Sequence, residues 1–301
     1  MKFNTNHLGY KLLTGRLTQS RKHSEQLNKF LAGFFDSDGY VGLAFHKKGD
    51  RFLLQPRAKI CQSASNDPDF DMMRALQSFY KLGFLFYEDA KEDAHSSAVV
   101  WMLGITDMKK LYNVIGKHLM VKATHYQNMI WLYESLRGVK LTASQAEELK
   151  EFSQCSRSNS RWLKHPKHIS TRYLAGLIVG DGWITCRIRR KQFMKKTNTE
   201  RFVNELGISI KLHPMDLHIL LQIQRDYGGT LTQHKSGNMV WFRSLGRNSG
   251  PGVVKFLRSL SESLCLLKKY TLVQEIIKFH KQPAETKQCK LGRVSDSPIS
   301  F

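Results

Sequence analysis

Two stretches of alternating apolar and polar residues follow an apolar segment near the beginning of the chain. Every second side chain of a strand points to the same face, so this alternation predicts two strands that each bury one face. Lys47-Lys48-Gly49-Asp50 lies between them and is typical of a hairpin turn. Pro56 weakens the second strand locally and predicts an edge or a bulge. The apolar face consists of Val41, Leu43, Phe45, Leu54, Ala58 and Ile60.

A helix, two further strands and two more helices are predicted to complete the first half of the chain. The helix begins at Asp67-Pro68, carries an apolar stripe and ends near Gly83. The order of this half is therefore αββαββα with an extra helix. The later elements are strands at 84–87 and 98–105 and helices at 111–118 and 126–136.

The second half of the chain repeats this order of elements. Val99-Val100-Trp101-Met102 resembles Met239-Val240-Trp241-Phe242, which aligns Trp101 with Trp241 and indicates an internal duplication. A long basic turn at 190–201 replaces the short turn at 47–51. The predicted elements are strands at 183–190, 206–212, 229–234 and 239–245 and helices at 215–227, 253–260 and 271–279.

The most specific repeat is a nine-residue pattern at 31–39 and again at 174–182. The copies read LAGFFDSDG and LAGLIVGDG, and each predicts an apolar helix that ends in Asp-Gly where a strand begins. Small residues at matched positions allow two helix backbones to approach closely. We therefore expect the two helices to pack on each other. The interface residues would be Ala32, Gly33, Ala175 and Gly176.

This packing is expected to bring Asp38 and Asp181 together. Two adjacent carboxylates repel each other unless cations lie between them, and hard oxygen ligands suit Mg²⁺. Asp36 is matched by Val179 in the second copy, so we expect it to be a local hydrogen-bonding or surface residue and not a symmetric metal ligand.

The composition favours a nucleic-acid partner. The 301 residues include 47 lysines and arginines against 25 acids, a net charge of +22, and such an excess marks a polyanion partner. No apolar run approaches the roughly 20 residues that a membrane span needs, so no membrane partner is expected. The five cysteines are odd in number and scattered, which argues against a disulfide framework or a zinc site.

With its two nine-residue motifs, the chain resembles the LAGLIDADG homing endonucleases of the single-chain, two-motif type. The resemblance covers the motifs closely and the order of elements loosely, from about residue 24 to 281. It implies an α+β fold of two αββαββα half-domains related by pseudo-two-fold symmetry, with the motif helices at the interface and a β-saddle for DNA. The implied division is a basic arm at 1–23, half-domains at 24–138 and 170–281, a linker at 139–169 and a disordered tail at 282–301.

The resemblance also implies an activity: the site-specific, metal-dependent cleavage of both strands of a long DNA target by a monomer that acts as a pseudo-dimer. Asp38 and Asp181 would hold two or three Mg²⁺ ions, with the carbonyl oxygens of Ser37 and Gly180 as further ligands. Basic residues near the scissile phosphates and water-ordering residues are also implied. The candidates are Lys122 and Lys268, with Lys269 as a substitute, and Gln62 and Lys211.

Strand alternation places several cations on the polar phase of the predicted strands, and a two-stranded ribbon fits the major groove of DNA. The long turn of the second half adds further cations, so we expect the two halves to engage their half-sites unequally. The candidate DNA-binding residues are Arg57, Lys59, Arg187, Arg189, Lys191, Lys195 and Arg243.

Two other functions remain open at this stage: an RNA maturase that assists splicing of its host intron, and a DNA-binding regulator without nuclease activity. Asp38 and Asp181 favour the nuclease, because a binding module gains nothing from two mutually repelling acids. Family analogy suggests a protein that is encoded in an intron and acts in a mitochondrion or chloroplast. The basic first 24 residues suit either a transit peptide or an arm on DNA.

Overall fold

The chain divides into two units, Met1–Gly180 and Asp181–Phe301. The helix of the second motif therefore groups with the first unit up to Gly180, and Asp181 begins the second unit. The domain boundaries expected from the sequence remain predictions. The computed structural model describes residues 21–63, 70–89, 97–159, 168–194, 199–233 and 240–246, and at 21–23, 157–159, 184–194, 199–207 and 240–246 it describes the backbone alone.

The first unit is built from a four-stranded sheet and six helices in its described residues, and it confirms the mixed order of helices and strands. The helix after β4 begins earlier than predicted and ends in a short 3-10 turn, Gly116–His118. The elements are α1 (Arg21–Asp38), β1 (Gly39–Lys48), β2 (Arg51–Ser63), α2 (Asp71–Tyr80), β3 (Phe84–Glu88), β4 (Ala98–Gly104), α3 (Ile105–Ile115), α4 (Ala123–Ser135), α5 (Ala143–Asn159) and α6 (Thr171–Asp181).

The strands of this sheet are antiparallel and lie in the order β1-β2-β4-β3. A two-residue turn joins β1 to β2, and Gly49 at its first position has φ of 62°, which favours glycine. Within β2, only residues 57–63 pair with β4. Pro56 thus lies where β2 has an open edge on that side, as predicted for a residue that cannot donate to a ladder.

Helices cover one face of the sheet, and the alternation of burial in β2 follows from this. Ala58, Ile60 and Trp101 are fully buried, whereas Arg57 is exposed and Lys59 half-buried on the other face. The Nε1 atom of Trp101 donates a 2.8 Å hydrogen bond to the carbonyl oxygen of Leu82, which satisfies the one polar atom of this core side chain.

The helix α5 lies within the segment expected to be a linker. The expected linker covers 139–169, and α5 occupies Ala143–Asn159 of it. Ser153 and Ser156 are buried, and the Ser156 hydroxyl lies 3.3 Å from Nδ1 of His125 and 3.0 Å from Nδ2 of Asn128 on α4. These small polar side chains pack against a neighbouring helix. The spacing of apolar residues in the sequence does not reveal such a contact, because the residues that make it are polar.

The second unit contains a sheet with the same pattern, in the strand order β5-β6-β8-β7. Its first two strands are longer than predicted and occupy much of the segment expected to be a basic turn. The predicted helices at 253–260 and 271–279 lie outside the described residues. The elements are β5 (Gly182–Met194), β6 (Thr199–Leu212), a 3-10 turn (Pro214–Asp216), α7 (Leu217–Tyr227), β7 (Thr230–Gln233) and β8 (Val240–Gly246).

The strand registers correct the alignment of the two halves. Trp101 pairs with Ile60, which pairs with Gly39 directly after the first motif acid. In the second sheet, Gly182 pairs with Ile210, and Ile210 pairs with Phe242 and not with Trp241. The predicted equivalence of Trp101 and Trp241 is therefore wrong by one residue, and a slip of one residue moves a side chain to the opposite face of a sheet.

Candidate functional site

The motif helices α1 and α6 are in direct backbone contact within the first unit. A Cβ atom added to Gly33 would overlap the carbonyl oxygen of Tyr173 and lie 3.0 Å from the nitrogen of Leu177. One added to Gly176 would overlap the carbonyl oxygen of Phe30 in the same manner. No side chain fits at either position, because the obstructing atoms are backbone atoms. Ala32 and Ala175, the other two residues expected at this interface, are fully buried.

Asp36 ties the two motif helices to the beginning of α4. Its side chain is 3% exposed. Oδ2 accepts hydrogen bonds from the backbone nitrogens of Met120 at 2.6 Å and Val121 at 3.1 Å, and Oδ1 accepts one from Lys122 N at 2.9 Å. The Tyr173 hydroxyl donates a further 2.7 Å bond to Oδ2. Asp36 thus accepts hydrogen bonds, as we expected, but it does so in the core and from residues distant in sequence, not locally or on the surface.

Lys122 binds the carboxyl-terminal end of α1. Its Nζ atom donates to the carbonyl oxygens of Phe35 at 3.0 Å, Ser37 at 2.8 Å and Gly39 at 2.6 Å. An ammonium group has three N–H donors, and these three acceptors match them. The last carbonyls of a helix have no intrahelical partner and carry partial negative charge, so the cation stabilises this helix end. With 7% of its surface exposed, Lys122 is a buried residue.

Asp38 is the last residue of α1 and is half-buried. Its carboxyl carbon lies 2.8 Å from the point that a Cβ on Gly180 would occupy. The hydroxyl of Ser37 turns back onto its own helix and donates to the carbonyl oxygen of Phe34 at 2.9 Å. The carboxyl group of Asp38 therefore lies in space that only a glycine at position 180 leaves open.

Asp181, the second motif acid, is exposed directly before β5 at the beginning of the second unit. Carboxylate and carbonyl oxygens are the donors that a divalent cation such as Mg²⁺ takes, and the metal-binding role expected for Asp38, Asp181, Ser37 and Gly180 remains a prediction. The carbonyl of Ser37 already accepts a hydrogen bond from Lys122. The described residues contain no cluster of three or more His, Cys, Asp or Glu side chains.

The two candidate water-ordering residues occupy different faces of their sheets. Gln62 lies on the helix-covered face, is 2% exposed, and has no hydrogen-bond partner for its amide atoms. The matching residue of the second sheet is Leu212, because Ile60 and Ile210 are equivalent. Lys211 is exposed on the other face. The water-ordering role expected for Gln62 and Lys211 remains a prediction.

Cys61 follows Ile60 directly and lies on the open face, the face of the sheet that the helices do not cover. Lys211 has the same position in the second sheet, directly after Ile210. Burial raises the pKa of the Cys61 thiol, the charge of Lys59 opposes this, and the charges of Glu88 and Asp38 raise the pKa further. The thiol is therefore kept protonated next to acids of the open face.

The open face of the first sheet carries the cations predicted to bind DNA. Arg57 and Lys59 alternate with buried residues of β2. Nζ of Lys59 lies 5.9 Å from the ring centre of Tyr40, its partner in β1. Tyr40 is 44% exposed, so the pair presents a cation and an aromatic ring together, a combination that suits nucleic acid.

In the second sheet the register places the predicted cations of three strands on one face. Arg187 pairs with Glu205, Arg189 with Val203 and Arg243 with Ser209, and Lys211 follows Ser209 by two residues. A bulge between Arg189 and Gln192 contains Lys191. Lys195 and Lys268, the remaining basic candidates, lie outside the described residues.

Tyr173 is the principal functional residue that the sequence did not reveal. It directly precedes the second motif, and an aromatic residue in an apolar helix is indistinguishable from an ordinary core residue. The sequence did contain a signal for the buried role of Asp36. Asp36 is an acid in an apolar helix and has no counterpart in the second motif, and a buried acid needs a hydrogen-bonding partner.

None of the helices in the described part of the chain is long and apolar enough to cross a membrane.

Comparisons with known proteins identify the motif and the fold. Residues 174–259 match the family model described as LAGLIDADG endonuclease. No match was found among curated protein sequences.

Several solved structures are similar to this chain at identities that show the fold alone. The homing endonuclease I-GzeII in complex with its DNA target has a TM-score of 0.65 and 13% identity, with 88% of this chain and 93% of that chain covered. I-SmaMI bound to uncleaved DNA in the presence of calcium has a TM-score of 0.59 and 15% identity, with 84% and 90% covered. I-SmaMI bound to cleaved DNA has a TM-score of 0.60 and 14% identity, with 84% and 88% covered.

Proposed function

We propose that this chain, which resembles the LAGLIDADG homing endonucleases in motif and fold, is a site-specific DNA endonuclease that makes a metal-dependent double-strand break in a long asymmetric target. The observation that carries the proposal is the second motif: it lies in the segment that matches the endonuclease family, and its helix packs backbone to backbone on the first motif helix. The acid of each motif directly precedes the first strand of a sheet.

The metal ligands that we propose are Asp38 and Asp181, with the carbonyl oxygen of Gly180 as a further donor. A bound divalent ion lowers the pKa of a coordinated water and neutralises charge at the phosphate. The similar structure of I-SmaMI is bound to an uncleaved DNA target in the presence of calcium ions. We propose Mg²⁺ for this chain, because its hard oxygen donors suit that ion.

Lys122 acts in this proposal by positioning Asp38. Its ammonium group holds three carbonyls around the end of α1, and Asp38 lies between two of the residues that provide them. The carbonyl oxygen of Ser37 is less suited to bind a metal than that of Gly180, because it already accepts a hydrogen bond from the positively charged Lys122. A direct contact of Lys122 with a scissile phosphate would require it to leave these three bonds.

DNA would bind to the open faces of the two sheets. In the first sheet, Arg57 and Lys59 lie on this face beside the exposed ring of Tyr40. In the second, the strand register assigns Arg187, Arg189, Lys211 and Arg243 to one face. The net charge of +22 supports a polyanion partner. We further propose that the protein is encoded in an intron and acts as a monomer.

The experiment that tests this function uses the full chain and a duplex DNA library with a randomised central segment. Binding is selected in Ca²⁺, and the enriched duplexes are then incubated with Mg²⁺. We expect enrichment of one long asymmetric sequence and its cleavage on both strands. Enrichment without cleavage would instead identify a DNA-binding regulator. An absence of enrichment, with binding to structured RNA, would identify the maturase alternative.

A further inference from the structure

Two phenylalanines are exposed at the edge strand of the first sheet. Phe84 is 59% exposed, and Phe86 is half-buried on the same face of β3. Their ring centres lie 6.1 Å apart, so they form one apolar surface, which we call the Phe84–Phe86 patch. Single exposed apolar side chains are common on proteins, but a pair of adjacent aromatic rings marks a contact surface more specifically.

The register places this patch on the open, cationic face of the sheet. Phe84 pairs with Met102, Met102 pairs with Lys59, and Lys59 pairs with Tyr40. Residues paired across neighbouring strands share a face. This row therefore crosses all four strands, from Tyr40 beside the motif acid to Phe84 at the edge, over about 14 Å or three strand spacings.

A second row confirms the assignment of the face. Phe86 pairs with Val100, and Val100 pairs with Cys61. Cys61 follows Lys59 by two residues in β2 and therefore lies on the same face of the sheet. The patch is thus continuous with the surface proposed to bind DNA, and it does not belong to the helix-covered core.

We infer that the Phe84–Phe86 patch reads the 5-methyl groups of thymines in the major groove of the target. This inference rests on the proposed function. A phenylalanine ring can neither pair with a phosphate nor hydrogen-bond to a base edge, whereas the thymine methyl is the apolar group that the major groove presents. The flanking cations Arg57 and Lys59 would hold the phosphates and bring the bases within reach.

The experiment compares thymine with uracil, which lacks only the methyl group. The full chain first selects its sequence from the randomised duplex library in Ca²⁺. The selected duplex is then made with thymine or with uracil, and the Kd of each is measured for the parent, Phe84→Ala and Phe84→Leu. Trp131→Ala is the matched control, since Trp131 is 62% exposed on α4 and outside the sheet. A thermal melt verifies that each variant is folded.

For the parent and Trp131→Ala we expect uracil to weaken binding by about fourfold for each methyl contacted, the effect of one methyl group on apolar burial. Phe84→Ala should lose this difference and Phe84→Leu should retain part of it. A selected sequence that binds equally well with uracil would overturn the inference and leave the nuclease proposal standing. If replacing thymine by uracil weakens the binding of Phe84→Ala and of the parent equally, the role of Phe84 is overturned. No selected sequence at all would count against the proposed function itself.

Discussion

The Tyr173 hydroxyl donates a 2.7 Å hydrogen bond to Oδ2 of Asp36, and this bond joins the helices of the two sequence motifs inside the core. Asp36 also holds the backbone at the beginning of α4, directly before Lys122. Since Lys122 in turn holds the end of α1, one buried network fixes the helix end that presents Asp38. The helix that contains the second motif therefore helps to position the first motif acid, through Tyr173.

Tyr173→Phe should destabilise the protein by about 1.5–3 kcal/mol, the usual worth of a hydrogen bond to a charged group. The ring remains in place, so no cavity forms. Urea unfolding measures the change. Tyr40→Phe is the matched control, because its side chain is exposed, and a surface change of this kind should alter stability by no more than about 0.5 kcal/mol. Equal effects of the two variants would contradict a stabilising role for the Tyr173 bond.

Gly33→Ala and Gly176→Ala should both destabilise the protein, because the added methyl meets backbone atoms of the opposite motif helix. Overpacking of this kind costs typically about 1–3 kcal/mol, and the larger Gly33→Leu and Gly176→Leu should cost more and abolish cleavage. Thermal melting and cleavage of the selected duplex measure the two effects. At Gly104 a Cβ would meet nothing, so Gly104→Ala should melt as the parent does. Parental melting of all three alanine variants would rule out the close helix contact.

Strand periodicity in the sequence was sufficient to predict the two hairpins, because one buried face imposes an alternation that extends over many residues. The matched small residues Ala32-Gly33 and Ala175-Gly176 likewise indicated a close contact between the two helices. The equivalence of the two halves was harder to predict: matching Trp101 to Trp241 maximises residue identity, but the strand register matches Trp101 to Phe242. Identity alone does not report which face a side chain occupies.

Acid should destabilise the first unit through His118. Burial lowers the pKa of this histidine below its usual value of 6.5, although the charge of Glu25 opposes the shift. The unfolded chain therefore takes up the proton first, so the stabilisation is complete above pH 6.5 and is lost as the pH falls through the lower pKa of the folded state. Urea unfolding at a series of pH values should show this loss, and His118→Gln should reduce it. An unchanged pH dependence in His118→Gln would contradict the assignment.

DNA affinity should fall steeply with salt, because an extended cationic surface releases counterions when it binds phosphates. Contacts to roughly ten phosphates give a slope of log K against log salt near −9. Fluorescence anisotropy with the selected duplex in Ca²⁺ measures the slope. A slope that corresponds to about two phosphates would exclude binding along both sheets.

Strand-resolved cleavage of the selected duplex by Asp38→Asn and Asp181→Asn tests the role of the two motif acids most directly, with Asp50→Asn in the exposed hairpin turn as the matched control. We expect both motif variants to bind the duplex in Ca²⁺ with near-parental affinity but not to make the double-strand break in Mg²⁺, while Asp50→Asn cuts as the parent does. Parental cleavage of both strands by both motif variants would contradict the proposal that these two acids bind the catalytic metal.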